Sequence, residues 1–353
     1  LGIWSSVGQL HTPQDADQLM YYKEDKNGQI LQEGINEAGA MSSWIAAATS
    51  YSTHGIQMIP FFIFYSMFGF QRVGDLAWAA GDMRCRGFLL GGTAGRTTLN
   101  GEGLQHEDGH SHLVASTIPN CVAYDPAFAY ELVVIIQDGL RRMYQEQEDI
   151  YYYITVMNEN YSHPEMPVGV EKNILKGMYL FREGEKKSEA RVQLLGAGTI
   201  LREVIAAAEL LKRDFDVTAD IWSVTSFNEL RREALAVTRW NLLHPDQPAK
   251  TSHVENCFND RKGPFVAATD YMKIYADQIR EFIPGTYRVL GTDGFGRSDT
   301  REKLRHFFEV DRFFITVAAL KVLAEEGLVP AERVVHAIEK YGIDPEKSNP
   351  AVS

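Results

Sequence analysis

Fourteen residues from Leu99 to His112, LNGEGLQHEDGHSH, gather three glycines, three histidines (His106, His110, His112) and three carboxylates (Glu102, Glu107, Asp108). The stretch has no apolar periodicity, and Leu99 and Leu104 are its only apolar residues. Imidazoles beside carboxylates can move protons near neutral pH or hold a metal ion. A hydrophobic core does not accept so many ionisable groups. A glycine-bent loop held between buried elements is where binding and catalytic residues concentrate. His110 and His112 with Glu107 and Asp108 offer zinc donors, but their spacing matches none of the strong zinc signatures and no cysteine is near.

A second source of chemistry lies upstream. Glu33 and Glu37 are four residues apart in ILQEGINEAGAM, which predicts one helical turn between them on a shared face. The neighbours are small or apolar, so at least one carboxylate is expected to be buried. Burial makes a carboxylate a proton-transfer group near neutral pH. Between the two regions stands an aromatic cluster, Phe61, Phe62, Phe64, Tyr65, Phe68 and Phe70. Alternation along a strand allows only a subset of it to face a site.

The positioning elements follow from periodicity. Small residues at helical spacing after Ile30 predict a helix ending at His54-Gly55, and MIPFFIF (58–64) predicts a buried strand. A helix over 71–84, short strands at 87–90 and near 121, an amphipathic helix over 126–144 and a strand over 150–156 follow. This alternation predicts an α/β layer fold with a largely parallel sheet. Two prolines in SHPEMPVG and the charged run REGEKKSEAR interrupt it. They place a linker at 166–190 between a first unit (1–165) and a second α/β unit (191–353). Strands VQLLG, DIWSVT, PFVAATD and YRVLGT are expected in the second unit, with helices over 200–214, 271–282, 301–308, 312–326 and 331–341. Gly196-Ala-Gly198 reads as a tight strand-to-helix turn, since Leu201 stands where a dinucleotide fingerprint needs glycine.

Bulk properties narrow the function class. The 353 residues carry a net charge of −12, which argues against nucleic acid or an anionic membrane surface as main partner. The longest apolar run, 58–70, is too short to span a bilayer of about 20 residues. Three scattered cysteines, Cys85, Cys121 and Cys257, fit a reduced, cytoplasmic setting rather than a disulfide framework. Leu1 in place of methionine, with no signal-peptide pattern, suggests a chain that begins partway through a longer protein.

Glu107-Asp108-Gly109-x-x-His112 resembles the Glu-Asp-Gly-x-x-His signature of the transketolase superfamily of thiamine diphosphate enzymes. The wider runs GRTTLNGEGLQHEDGHSH, YYKEDKNGQILQEGINEAGA and IPFFIFYSMFGFQRVGDLAWAAGD, with AATDYMK (267–273) and GTDGFGRSDTRE (291–302), resemble its homodimeric pyruvate dehydrogenase family. The resemblance implies a parallel-sheet pyrimidine-binding domain followed by a transketolase C-terminal-like α/β domain. It implies Glu37 hydrogen-bonded to N1′ of the cofactor's aminopyrimidine, Phe68 stacked on that ring and Tyr65 lining the pocket. Glu102 and His106 match residues near the thiazolium, where pyruvate would bind, and His110 and His112 complete the substrate channel. The family's Gly-Asp-Gly motif leading to an asparagine, which holds Mg²⁺ and the diphosphate, has no counterpart here. Those ligands are expected in an N-terminal domain. The implied reaction is oxidative decarboxylation of pyruvate with reductive acetylation of the lipoyl group of an acetyltransferase component, in a homodimer with the active site between subunits. The alternatives are another 2-oxo acid dehydrogenase or transketolase-like enzyme, a metal-dependent hydrolase using His106, His110 and His112, or a dimerisation and docking module.

Overall fold

A computed structural model describes residues 1–14, 16–18, 22–185 and 190–353. Asp15, Leu19, Met20, Tyr21 and residues 186–189, within the N-terminal segment and the charged run REGEKKSEAR, lie outside the described residues.

Asn36 caps the first helix, α1 (Glu37–Ala48), accepting the Gly39 amide on its side chain at 3.1 Å. This Asn cap explains why the helix starts at Glu37 rather than at the small residues before it. Glu33 is therefore not on the helix, contrary to the predicted pairing; it is exposed and accepts a hydrogen bond from Ser43 Oγ at 2.5 Å.

Strands β1 (Phe61–Tyr65), β2 (Phe88–Gly92), β3 (Cys121–Tyr124) and β4 (Tyr151–Thr155) form the first sheet in the order β1-β2-β4-β3, with all pairings parallel. Each parallel crossover needs an intervening segment, supplied by α2 (Gly69–Asp82), α3 (Ser111–Ser116) and α4 (Ala129–Leu140). One face packs Phe64, Leu89 and Tyr153 against Met41, Trp44 and Ala77 of α1 and α2. The other packs Phe88, Val122 and Tyr152 under Ile135 of α4. β1 is the sheet's edge, and of its residues only Phe64 is buried; Phe61, Ile63 and Tyr65 are exposed. The expectation of a fully buried strand fails here because an apolar run also suits an edge strand with a covered flank.

The second sheet contains β5 (Met178–Arg182), β6 (Arg191–Ala197), β7 (Thr218–Val224), β8 (Phe265–Ala268) and β9 (Tyr287–Leu290), in the order β9-β8-β6-β7-β5. All pairings are parallel except that of β5 with β7. Residues expected as linker thus include a helix, α5 (Glu171–Lys176), and the edge strand β5. The two prolines and surface charges concealed an ordinary apolar strand, MYLFR. Helix α6 (Leu201–Phe215) and α8 (Arg312–Glu325) cover one face of this sheet, and α7 (Phe227–Leu243), a helix the sequence reading did not propose, covers the other.

Candidate active site

In a parallel sheet, ligands bind beyond the carboxyl ends of the strands. β1 ends at Tyr65 and runs through a 3₁₀ turn, Ser66–Phe68, into α2. β2 ends at Gly92 and releases the long loop that carries the histidines. Tyr65, Phe68 and His106 meet there: Phe68 and His106 have ring centroids 5.0 Å apart, Tyr65 and His106 5.3 Å, and Tyr65 and Phe68 6.1 Å. His106 Nδ1 lies 3.3 Å from the Gly103 carbonyl and 4.0 Å from Glu102 Oε2. Both neighbours are acceptors, which assigns the neutral ring's proton to Nδ1 and leaves Nε2 as the basic nitrogen.

Glu37, the first residue of α1, reaches the same place through Arg72. Its Oε1 accepts from Arg72 Nη1 at 2.8 Å, and the Arg72 guanidinium carbon lies 4.2 Å from the Phe68 ring centroid. Among the predicted residues, Glu37, Phe68, Tyr65, His106 and Glu102 are therefore one cluster. Sequence reasoning missed Arg72. The signal was present in FGFQR, since Phe68 and Arg72 are four residues apart, the spacing at which side chains meet on a helix.

His110 and His112 do not join that cluster. His110 Nε2 contacts the side-chain nitrogen of Gln71. His112 is fully buried among Tyr153, Tyr271 and Tyr275, with centroid distances of 4.9–5.2 Å. Its Nε2 lies 3.0 Å from Thr155 Oγ1, which itself donates to Asp125 Oδ1 at 2.7 Å. That chain of donors makes Nε2 the protonated nitrogen. Burial holds the ring neutral, with its pKa lowered to about 4 against the pull of Asp108. The expected substrate-channel role does not fit a side chain sealed between the two domains. The three histidines stand in three environments, and among the described residues no group of three or more His, Cys, Asp or Glu converges on a metal position.

The Glu-Asp-Gly triplet builds the loop. Asp108 Oδ1 accepts the amides of His110 and Ser111 at 2.9 Å each, starting α3. A Cβ on Gly109 would sit 2.2 Å from Arg96 Nη2, so a larger residue here would push that buried guanidinium aside. Glu107 is buried, accepts the Arg297 amide on Oε2 at 2.7 Å, and leaves Oε1 without a hydrogen-bond partner. Burial, only partly offset by that amide, pushes its pKa up to about 8.

The second domain clamps this loop along its length. Asp270 accepts the Thr97 amide at 2.9 Å and the Thr97 and Thr98 hydroxyls at 2.7 and 2.6 Å. The Met272 amide donates to Gly109 O at 2.8 Å, and Arg301 Nε to Thr98 O at 2.7 Å. Asp270 was read in sequence only as the end of the strand PFVAATD, and Arg96 only as part of a glycine-rich run.

The donor set suits the aminopyrimidine half of thiamine diphosphate: a partly buried aromatic ring (Phe68), the carboxylate of Glu37 joined to it through Arg72, and an exposed tyrosine edge (Tyr65, 44% exposed).

Comparison with known proteins identifies the family. Residues 1–164 match the model of the pyruvate dehydrogenase E1 component middle domain, and residues 177–311 that of the transketolase-like C-terminal domain. Pyruvate dehydrogenase E1 components of Pseudomonas aeruginosa and Cupriavidus necator are 68% and 67% identical over 99% of this chain. The Escherichia coli K12 counterpart is 59% identical over 100% of it. The chain spans 39–40% of the length of these relatives. Among solved structures, transketolase from Campylobacter jejuni superposes with a TM-score of 0.63 at 18% identity, covering 85% of this chain and 40% of its own. A split-gene transketolase superposes with a TM-score of 0.57 at 15% identity, covering 83% of this chain and 84% of its own. These distant structures establish a transketolase-like α/β fold. With the two domain models matched in order along the chain, and 59–68% identity to these E1 components over 99–100% of its length, the chain belongs to the pyruvate dehydrogenase E1 component family.

Proposed function

We propose that the chain supplies the aminopyrimidine seat and part of the pyruvate channel of a thiamine diphosphate-dependent pyruvate dehydrogenase (acetyl-transferring) component. The observation that carries this reading is the convergence of Glu37, Phe68, Tyr65, His106 and Glu102 at the carboxyl edge of the first sheet. When bound, the cofactor supplies the electron sink for decarboxylation, and the protein supplies orientation and proton transfer. Phe68 offers its ring face to the aminopyrimidine, and Glu37 holds or yields the proton at N1′. His106, with Nε2 as its basic nitrogen and Glu102 behind Nδ1, is placed to exchange a proton with the substrate side.

Mg²⁺ and the diphosphate would be held by an N-terminal domain, contributed to this seat by the second subunit of a homodimer. The lipoyl domain of the acetyltransferase component would then approach the channel lined by His106 and Glu102. A cytoplasmic location fits this role, and among the described residues no helix is long and apolar enough to cross a membrane. The hydrolase alternative loses its basis because His106, His110 and His112 do not share a metal position.

The test is the holoenzyme containing this chain, assayed for pyruvate-dependent reductive acetylation of a free lipoyl domain. His106→Ala should lower turnover by roughly 10²-fold, in the range of losing a general acid/base, with bound cofactor unchanged. Undiminished turnover would remove His106 from the reading.

A further inference from the structure

Arg72 touches both groups that an aminopyrimidine would need. Its guanidinium lies over the Phe68 ring at 4.2 Å from the centroid, and its Nη1 holds Glu37 Oε1 at 2.8 Å. A planar cation stacked on the ring and bonded to the carboxylate makes the same pair of contacts as a planar heterocycle stacked on Phe68 and bonded through N1′. The two sets of contacts compete for the ring face that Arg72 covers and for Glu37 Oε1.

We propose that Arg72 is the resident occupant of the aminopyrimidine seat and must leave it for the cofactor to bind. The proposal rests on the functional reading above and adds a gate to it. Three further features favour a side chain that can leave. Arg72 is half exposed, so water replaces its partners when it swings out. Among the described residues Glu37 is its only ion-pair partner, so no second anchor holds it in place. The next residue, Val73, departs from helical geometry at φ −129°, ψ 24°, so α2 is kinked where the side chain springs from it. While Arg72 is in place it keeps the Glu37 carboxylate paired and the Phe68 face covered, which protects an otherwise open aromatic surface at the sheet edge.

The gate makes a prediction opposite to that for an ordinary binding arginine. The probe is 4-amino-5-hydroxymethyl-2-methylpyrimidine, the uncharged ring half of the cofactor, titrated by calorimetry or NMR into the chain and into the holoenzyme freed of cofactor. Arg72→Met keeps the length and helix preference of the side chain and removes the cation. The variant should bind the probe roughly three- to thirtyfold more tightly, the combined worth of a part-exposed ion pair and a cation–π contact that no longer compete.

A second measurement needs no variant. Because the probe is neutral, added salt acts mainly by screening the Arg72–Glu37 pair, so wild-type affinity should rise between low and high ionic strength, and that dependence should vanish in Arg72→Met. Weaker or equal binding by Arg72→Met, or wild-type affinity that does not rise with salt, would overturn the gate while leaving the seat intact. Absence of probe binding by wild type and variant alike would overturn the seat and the gate together.

Discussion

Phe68 is partly buried, and its ring contacts come from Tyr65, His106 and Arg72 rather than from the core behind β1. Truncation there should cost binding more than folding. Phe68→Ala is expected to weaken aminopyrimidine binding by roughly three- to tenfold, the worth of one stacked ring. Its thermal midpoint should fall by less than about 3 °C. A large drop in midpoint with normal binding by the folded fraction would make Phe68 a packing residue. His112 predicts the reverse pattern, because it is enclosed by three tyrosines and touches no open surface. His112→Ala should destabilise the fold by roughly 2–4 kcal/mol through the cavity it leaves, measured by denaturant unfolding. Residue identity alone could not separate these two roles. His112 and the cluster's His106 stand in one glycine-rich stretch, and only the partners brought to His112 from β4 and the second domain distinguish them.

At the scale of elements, the loop between β2 and α3 is shaped less by its own sequence than by what grips it. Asp270 fixes Thr97 and Thr98, and the Arg297 amide fixes Glu107. Asp270→Ala leaves those buried donors without an acceptor and should cost roughly 2–4 kcal/mol. Limited proteolysis would cut within 96–106 faster in the variant, and an unchanged cleavage rate would mean that the loop holds its form without the clamp. Strands and most helices were legible from periodicity, since β2 and β4 are apolar or aromatic runs and β6 and β7 largely apolar ones, of the kind that parallel sheets bury on both faces. The departures have physical causes. The Asn36 cap moved the start of α1 past Glu33, β1 turned out to be an edge, and β5 was hidden inside a proline- and charge-rich passage. Helix α7 carries enough surface charge in FNELRREALAVTRWNLL to mask its apolar stripe, and only Phe227, Leu230 and Ala234 of its apolar residues are buried.

Across the whole molecule, the two domains share a buried polar seam whose protonation couples to stability. Burial raises the pKa of Glu107 from 4.5 to about 8 and that of Asp125 from 3.8 to about 7, and lowers that of His112 from 6.5 to about 4. A carboxyl with a raised folded value binds a proton that the unfolded chain has already lost, so its contribution to stability declines as pH rises towards the folded value. His112 acts in the opposite sense between about pH 4 and 6.5, and above that range only the carboxyls remain. Stability should therefore fall by about 1–3 kcal/mol as pH rises from about 6.5 to 8.5. Glu107→Gln should flatten most of that slope, read from denaturant midpoints at each pH. An equal slope in the variant would assign the titration elsewhere. The domain pairing itself was visible in sequence only as two α/β units; the seam was not, because it joins residues about 100 to 200 positions apart, such as Thr97 with Asp270 and Glu107 with Arg297.

The central claim is that Glu37, at the start of α1, is the carboxylate facing the cofactor's aminopyrimidine, and that Glu33, exposed before the helix, is not. The measurement is the exchange of the thiazolium C2 proton of bound thiamine diphosphate with deuterium, in holoenzyme containing Glu37→Gln or Glu33→Gln, with cofactor occupancy confirmed for each. Glu37→Gln keeps the shape of the side chain but cannot share the N1′ proton, so exchange should slow by roughly 10²–10⁴-fold, while Glu33→Gln stays close to wild type. Wild-type exchange in Glu37→Gln, or an equal loss in both variants, would contradict the assignment.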